Sequence, residues 1–504
     1  MIACVTGWIA DFFRFAWGLI YWNARKTWFR LGSRGMRAPC QHPSDSGRAM
    51  ETHCEACVHW HRPARFSRVC PLLVATPKGL RCSAHSVDVR PFWGRALGYY
   101  GGSALGVYLA VALGVFVFLR AVGYPISIVH VTWPGLWYRV PQARSAFFFE
   151  KGNRAMQAGR IREALLNFDN AYRFDPSNYA AGLVLARNYQ TAQPAISDAL
   201  YARLYHEHAP QRAATAQDWF RGLLARGAFE PIADLATRQI LADTAASNPW
   251  MRALIFSTRQ TRDTKPLQTM LEQTTPAARL WHPLLRAELQ LRAQPAVVPA
   301  ALLNPWPDPV PAYAHYFQVE ALVARGKTFE ALDLLGRLVG KLDDESALAL
   351  RLDAFAQAGM TARLAEQFDA LLRRPPSLAL FKILSVHLIR YPDRDLTTRL
   401  AERFDRAALP LDTENAGAYF SLLCVVGANG DRARLAALAA RLKTITSTPF
   451  LALNSVEAFF NHREDARRIA SILPALPLPA EMTYALLERF PGPPPVASRG
   501  GSNP

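Results

Sequence analysis

The sequence predicts an all-α protein in which a membrane-associated part precedes a long series of packed helices. Two observations predict this fold class. Residues Ala96 to Leu119 form a run of 24 residues without a charge, between Arg95 and Arg120. From Arg144 onward, apolar residues recur at the 3.6-residue spacing of helices rather than alternating as in strands. The first pattern predicts one membrane helix and the second an extended helical region.

Composition and charge limit the possible classes of protein. Half of the 504 residues are hydrophobic and 19% are charged, which excludes a disordered polyelectrolyte. The net charge of +18 is concentrated at the beginning, since residues 1–123 hold 15 Lys and Arg against 5 Asp and Glu. Basic segments suit nucleic acid or anionic lipid. No nucleic-acid recognition motif accompanies the charge, so we expect no nucleic-acid partner.

Residues 1–31 are apolar and aromatic and are expected to form a membrane-associated helix. The aromatic and apolar residues that recur at helical spacing are Trp8, Phe12, Phe15, Leu19 and Trp22. An amphipathic helix lying in the membrane interface fits this pattern. A second membrane span is the alternative, in which Asp11 and Arg14 pair at three-residue spacing. Both leave residues 23–95 on the cytoplasmic side of the membrane.

Residues 32–95 form a basic, cysteine-rich module. Cys40, Cys54, Cys57, Cys70 and Cys82 occur here with five histidines. Clustered thiols in a reducing compartment indicate metal ligands more readily than disulfides. The Cys54–Cys57 pair, together with Cys70 and Cys82, resembles a zinc ribbon, which implies Zn²⁺ as a cofactor held by these four thiolates. The alternative is a loop of unliganded thiols next to the membrane.

The membrane helix is predicted over residues 96–121. At about 1.5 Å per residue, the uncharged run spans roughly the 30 Å of a hydrocarbon core. Segment 23–95 carries 13 Lys and Arg, whereas only Arg120 and Arg139 lie close to the far end of the helix. The positive-inside rule therefore predicts a single-pass protein of the bacterial inner membrane, with the cysteine-rich module cytoplasmic and the helical region periplasmic.

Residues 145–178 carry a specific pattern of small and aromatic residues. With Ser145 as position one, the pattern residues are Phe148, Gly152, Ala164, Phe168, Ala171 and Pro176. This segment resembles a tetratricopeptide repeat, a 34-residue pair of helices, with Gly159 at the turn between them. The resemblance implies a right-handed α-solenoid, in which helix pairs stack side by side.

Weaker copies of the pattern divide the helical region into two halves. The first covers residues 144–294 and the second residues 312–490. Six prolines between Pro295 and Pro311 predict a stiff linker between them. The tail, residues 491–504, lacks apolar content and is expected to be disordered.

The resemblance also implies a binding groove lined by the first helix of each pair. The residues expected to face this groove and bind a ligand are Phe149, Asn153, Met156, Leu183, Arg187 and Gln190. Peptides or other proteins are the ligands of such surfaces. Phe149 stands where capture of a peptide carboxyl terminus requires a lysine, so that form of recognition is not expected.

Together these features predict a membrane-anchored scaffold or adaptor that binds other proteins. The sequence has no Gly-rich phosphate loop, no G-x-S-x-G and no H-E-x-x-H, so neither an enzyme nor a small-molecule substrate is predicted. The alternative is a transmembrane sensor or regulator in which the cytoplasmic cysteine cluster responds to metal or to redox state.

Reporter fusions after residues 90 and 145 test the predicted orientation. We expect green fluorescent protein to fluoresce only after residue 90, and alkaline phosphatase to be active only after residue 145, because each reporter works in one compartment. Colony fluorescence and phosphatase activity give the readout. A fluorescent fusion after residue 145 would contradict the predicted export of the helical region.

Overall fold

A computed structural model describes residues 13, 73–77, 79–82, 93–243, 245–410, 412, 414–445, 451–462 and 469–491. Contacts divide the chain into two compact units, Met1–Asp175 and Pro176–Pro504. The described chain is helical apart from one short hairpin, which confirms the predicted helical class at this level.

The hairpin pairs strand β1 (Leu73–Thr76) with strand β2 (Gly79–Cys82) in antiparallel register, with Leu73 opposite Cys82. Pro77 and Lys78 lie between the strands, and proline favours the first central position of a tight turn. This hairpin departs from the expectation of a purely helical chain. Its strands have four residues each, too short to produce a clear alternating pattern.

Helix α1 (Trp93–Val122) contains the uncharged run. Within the described residues it is the one helix long and apolar enough to cross a membrane, with a mean hydropathy of 2.3 over its most apolar window. Only 6% of that window is buried. Its exposed large apolar side chains are Leu105, Val107, Leu109, Val111, Leu113, Val115, Val117 and Phe118.

Three further α-helices occur among the described residues of the first unit. They are α2 (Ile128–Thr132), α3 (Arg139–Gln157) and α4 (Ile161–Phe174). The Tyr108 hydroxyl of α1 donates to the Thr132 carbonyl of α2 at 2.5 Å. Helices α3 and α4 pack closely on each other, because a Cβ at Gly152 would lie only 2.7 Å from the Phe168 ring. Glycine is therefore required where the two helices approach.

The second unit is a succession of helices joined mostly by short turns. They are α5 (Tyr179–Ala192), α6 (Pro194–Glu207), α7 (Arg212–Arg226), α8 (Phe229–Ala242), α9 (Ser247–Thr261), α10 (Lys265–Glu272), α11 (Pro276–Arg279), α12 (His282–Ala293), α13 (Ala312–Val323), α14 (Thr328–Arg337), α15 (Asp344–Gln357), α16 (Thr361–Leu372), α17 (Leu378–Arg390), α18 (Arg394–Ala407), α19 (Ala416–Ala428), α20 (Arg432–Ile445), α21 (Leu451–Asn461) and α22 (Ala480–Arg489). Sequential neighbours such as α5 and α6, or α8 and α9, pack against each other.

The proline-rich segment 295–311 is packed rather than extended into solvent. Leu302 is fully buried, and Trp306 stacks on Phe317 with the ring centroids 6.5 Å apart. The Gln318 side-chain amide donates to the Asn304 carbonyl at 3.0 Å. One hydrophobic core continues across this segment, with members before and after it. The residues expected to form a linker therefore contribute to the core of the second unit.

Helix α22 packs against helices that lie far before it in the sequence. The Tyr484 ring contacts Phe256 of α9 at a centroid distance of 4.5 Å and Phe220 of α7 at 6.4 Å. The Arg489 guanidinium donates to the Ile389 carbonyl at 2.9 Å and to the Ala428 carbonyl at 2.8 Å. These carbonyls end α17 and α19, so α22 joins four helices of the unit.

Two glycines at the penultimate positions of their helices give a matched test of this packing. In Gly427→Ala, the new Cβ would lie 2.4 Å from the ring of Phe460, which is itself buried. We expect overpacking to destabilise the protein by about 1–3 kcal/mol. In Gly336→Ala, nothing lies within 4 Å of the new Cβ, and we expect stabilisation of up to about 1 kcal/mol because alanine favours the helix.

Thermal unfolding of the purified protein in neutral detergent measures both effects. The Gly427→Ala midpoint should fall and the Gly336→Ala midpoint should rise or stay unchanged. Equal midpoints for the two variants would show that α19 and α21 do not approach as closely as described.

Candidate functional site: a charged cleft at helix ends of the second unit

Three of the six predicted groove residues lie on α3. Phe149, Asn153 and Met156 are all partly buried. The Phe149 ring lies 5.5 Å from that of Phe168 on α4, so much of this side chain packs within its own helix pair. Asn153 and Met156 remain candidates for ligand contact.

The other three lie on α5, and two of them already have partners. The Arg187 guanidinium donates to the Asp218 carboxylate of α7, with its Nε 2.8 Å from Oδ2. The Gln190 amide donates to the Tyr201 hydroxyl at 2.8 Å. Leu183 is partly buried. Because Arg187 and Gln190 join neighbouring helices, their structural role is evident and their ligand-binding role stays a prediction.

The predicted zinc ligands fall mostly outside the described part of the chain. Cys54, Cys57 and Cys70 lie outside the described residues, and Cys82 is described only as the last residue of strand β2. Across the described ranges, no group of three potential metal-binding side chains occurs. The zinc site therefore stays a prediction.

A cleft that the sequence did not reveal opens among the ends of α9, α12 and α13. It has a volume of about 510 Å³, within the usual range of ligand pockets. We call it the arginine–carboxylate cleft and define it by its lining residues, Arg259, Arg262, Thr264, Glu288, Leu291, Arg292, Glu320, Ala321, Ala324 and Arg325. Four arginines face two glutamates, so its lining has an excess of positive charge.

Glu288 organises the floor of the arginine–carboxylate cleft. Its carboxylate accepts hydrogen bonds from Arg259 Nε at 3.0 Å and Arg259 Nη2 at 2.8 Å, and from Arg292 Nε at 2.9 Å. Only 3% of the Glu288 side chain is exposed. Arg292 also donates to the Thr258 carbonyl at 3.0 Å. These bonds fix both guanidinium groups, because each group makes at least two hydrogen bonds in one geometry.

The protonation state of Glu288 is set by its two arginines. Burial alone would raise the pKa of this carboxyl, but the hydrogen bonds and positive charges of Arg259 and Arg292 outweigh burial and lower it. Burial would likewise lower the pKa of Arg259, and the bonds to Glu288 instead raise it. Glu288 and Arg259 are therefore both charged at neutral pH, and Glu288 is not suited to act as a general acid.

The cleft continues along α17 and α22 into a second space of about 350 Å³, which shares Arg259, Glu320 and Ala324 with the first. Here the Asp353 carboxylate is 2.8 Å from His387 Nδ1 and accepts from Arg390 Nη1 at 3.1 Å. In this extension arginines and carboxylates are balanced in number, since Arg259, Arg390 and Arg489 face Glu320, Asp353 and Glu488. Fixed charges of both signs suit the binding of a polar chain.

The pKa of the Glu488 carboxyl is shifted in the opposite direction to that of Glu288. Burial and the nearby charge of Glu320 raise the pKa of the Glu488 carboxyl, although 40% of its side chain reaches solvent. Its nearest cation is Arg390, whose Nε lies 3.6 Å away. Glu288 and Glu488 therefore form a matched pair for testing the electrostatics of the cleft.

We expect Glu288→Gln to lower the free energy of unfolding at pH 7 by about 3 kcal/mol, because it leaves buried arginines without their counter-charge. Glu488→Gln, the control, should not lower it, because the ionised form of Glu488 is already disfavoured. Denaturant unfolding of the purified protein in detergent, followed by circular dichroism, measures both.

The two carboxyls are also expected to stabilise the folded protein in separate pH ranges. The pKa of Glu288 is lower in the folded protein, so its stabilising effect is present above the unfolded value of about 4.3 and is lost as the pH falls through the folded pKa. The pKa of Glu488 is raised, so its effect is present below about 4.3 and is lost as the pH rises through the folded pKa. Unchanged pH dependence in both variants would contradict these assignments.

Comparison of the chain with models of known protein families found no match, and neither did comparison with curated protein sequences. The function must accordingly be inferred from the residues and contacts of the chain itself.

Proposed function

We propose that this protein is a membrane-anchored scaffold that binds other proteins through a tetratricopeptide-like, right-handed α-solenoid. The membrane is the bacterial inner membrane, α1 is the anchor, and the helical region lies in the periplasm. The scaffold binds its partners without catalysing a reaction. Neither nucleic acid nor a small-molecule substrate is part of this proposal.

The observation that carries the proposal is the spacing of contacts between helices. Arg187 pairs with Asp218 at a separation of 31 residues, Arg259 with Glu288 at 29, and His387 with Asp353 at 34. Contacts near one repeat length are expected where equivalent helices of successive pairs lie side by side. Separations of 29 to 34 residues in different parts of the second unit support a stacked-repeat architecture.

The first unit supports the tetratricopeptide resemblance through its small residues. Ala164 and Ala171 are fully buried, and Gly152 lies directly against Phe168. Gly159 adopts a φ of +72° at the turn between α3 and α4, a left-handed conformation that favours glycine. The small residues singled out in the sequence thus lie where two helices of a repeat must approach or turn.

The exposed apolar surface of α1 supports the anchor. Its side chains are mostly exposed, whereas the helices of the second unit bury one face in a common core. Exposed apolar surface of this length is favourable in hydrocarbon and unfavourable in water. The excess of Lys and Arg before the helix supports export of the helical region after it.

The arginine–carboxylate cleft is the surface that we assign to partner binding. It is open to solvent, and it combines fixed cations with the Glu288 carboxylate, whose geometry is held by buried bonds. Preorganised charges of this kind favour specific recognition, because less side-chain entropy is lost on binding.

Site-specific photocrosslinking in cells tests this assignment. Ala324 is exposed and lies where the cleft and its extension meet. With p-benzoylphenylalanine at Ala324, we expect discrete crosslinked proteins on denaturing gels. The same group at Arg286, exposed on α12 outside the cleft lining, is the matched control and should give none of these bands.

Crosslinks of equal pattern at both positions would place partner binding elsewhere. Complete absence of crosslinked protein at Ala324 would contradict the scaffold function at this surface.

A further inference from the structure

Two arginines of the arginine–carboxylate cleft have no carboxylate partner within the described residues. They are Arg262, which follows the end of α9, and Arg325, which follows the end of α13. The other two arginines, Arg259 and Arg292, are both bound to Glu288. The excess positive charge of the cleft is therefore carried by two identifiable side chains.

Arg325 is partly buried, and not all of its hydrogen-bond donors have a partner. Its Nε is buried and has no hydrogen-bond partner, and its Nη1 is 3.5 Å from the Ala321 carbonyl, at the limit of a hydrogen bond. Burial lowers the pKa of this guanidinium, and the charge of Glu288 offsets the loss of water only in part. A partly buried cation without an ion-pair partner is unfavourable for folding alone, and a bound anion would relieve it.

Arg262 occupies a backbone position that does not favour arginine. Its φ of +58° is left-handed, at the residue just after a helix, where glycine or asparagine is usual. A side chain in this conformation is strained relative to glycine, because Cβ approaches the following carbonyl oxygen. Its side chain is exposed and lines the cleft. The helix end explains a left-handed residue here but does not explain an arginine.

The same cleft also offers a hydrogen-bond acceptor. The Glu320 carboxylate lies 4.0 Å from Arg259 Nη1 and 3.7 Å from Arg390 Nη2, both beyond hydrogen-bond distance. A ligand that fits must therefore bring a negative group for Arg262 and Arg325 and an N–H donor for Glu320. A peptide with an acidic side chain brings both. A phosphate group brings acceptors only and would be repelled by Glu320.

We propose that the arginine–carboxylate cleft binds an acidic peptide segment of a partner protein, with a peptide carboxylate between Arg262 and Arg325 and a peptide N–H donating to Glu320. The extension past Ala324 gives the rest of the segment a path along α17 and α22. This assignment rests on the proposed scaffold function and specifies the chemistry of its partner.

Binding of fluorescein-labelled hexaglutamate to the purified full-length protein in neutral detergent tests the assignment. The double variant Arg262→Gln/Arg325→Gln should weaken binding at least about tenfold, because two charge-assisted contacts are lost. The double variant Arg286→Gln/Arg363→Gln removes the same charge from exposed positions outside the cleft lining and should leave binding unchanged. Fluorescence anisotropy gives the dissociation constants.

Three results would overturn the assignment. They are absence of hexaglutamate binding to the unmodified protein, equal weakening in both double variants, and displacement of hexaglutamate by inorganic phosphate or anionic phosphatidylglycerol vesicles at equal anion concentration. The scaffold function has a separate readout. If crosslinks from p-benzoylphenylalanine at Ala324 persist in the Arg262→Gln/Arg325→Gln background, partners bind the cleft without these arginines and the acidic-peptide assignment is wrong. If no crosslinks form when both arginines are intact, the scaffold function at this surface is itself wrong.

Discussion

Burial of helix α22 is the constraint on which the second unit depends. Its residues Met482, Ala485 and Leu486 are fully buried, and they pack among helices that occur as much as 270 residues earlier. The aromatic contacts of Tyr484 and the bonds of Arg489 to two helix ends add specific geometry to this apolar burial. Because α22 joins helices that are far apart in the sequence, it constrains their positions relative to one another within the second unit.

The arginine–carboxylate cleft results from where helices end. Arg259, Arg292 and Arg390 lie near helix C-termini, where the helix dipole favours positive charge. Glu288 binds two of these cations, and Asp353 binds Arg390 together with His387. Structural needs therefore account for most of the charges. Among the arginines that line the cleft, Arg262 and Arg325 are the two without an ion pair in the described part of the chain, which is why the proposed peptide carboxylate lies between them.

The sequence allowed the helical class and the apolar helix α1 to be predicted, because both depend on local periodicity and composition. It failed where tertiary packing decides the outcome. The prolines of 295–311 indicated a linker, yet Leu302 and Trp306 are core residues. The hairpin Leu73–Cys82 was too short to produce a pattern. The cleft could not be predicted because Arg259 and Glu288 meet only through packing of separate helices. Glu288 and Arg292, four residues apart, gave the one local signal.

The position of α22 in the chain also has a consequence for biosynthesis. Every helix that α22 contacts is synthesised before it, so the apolar surface that receives Tyr484 and Leu486 stays uncovered while translation proceeds. The extension of the cleft, which needs Ala485, Glu488 and Arg489 for its wall, does not exist in a nascent chain. The complete surface therefore forms only after α22 has been synthesised, and until then the apolar residues that it covers stay accessible to other proteins.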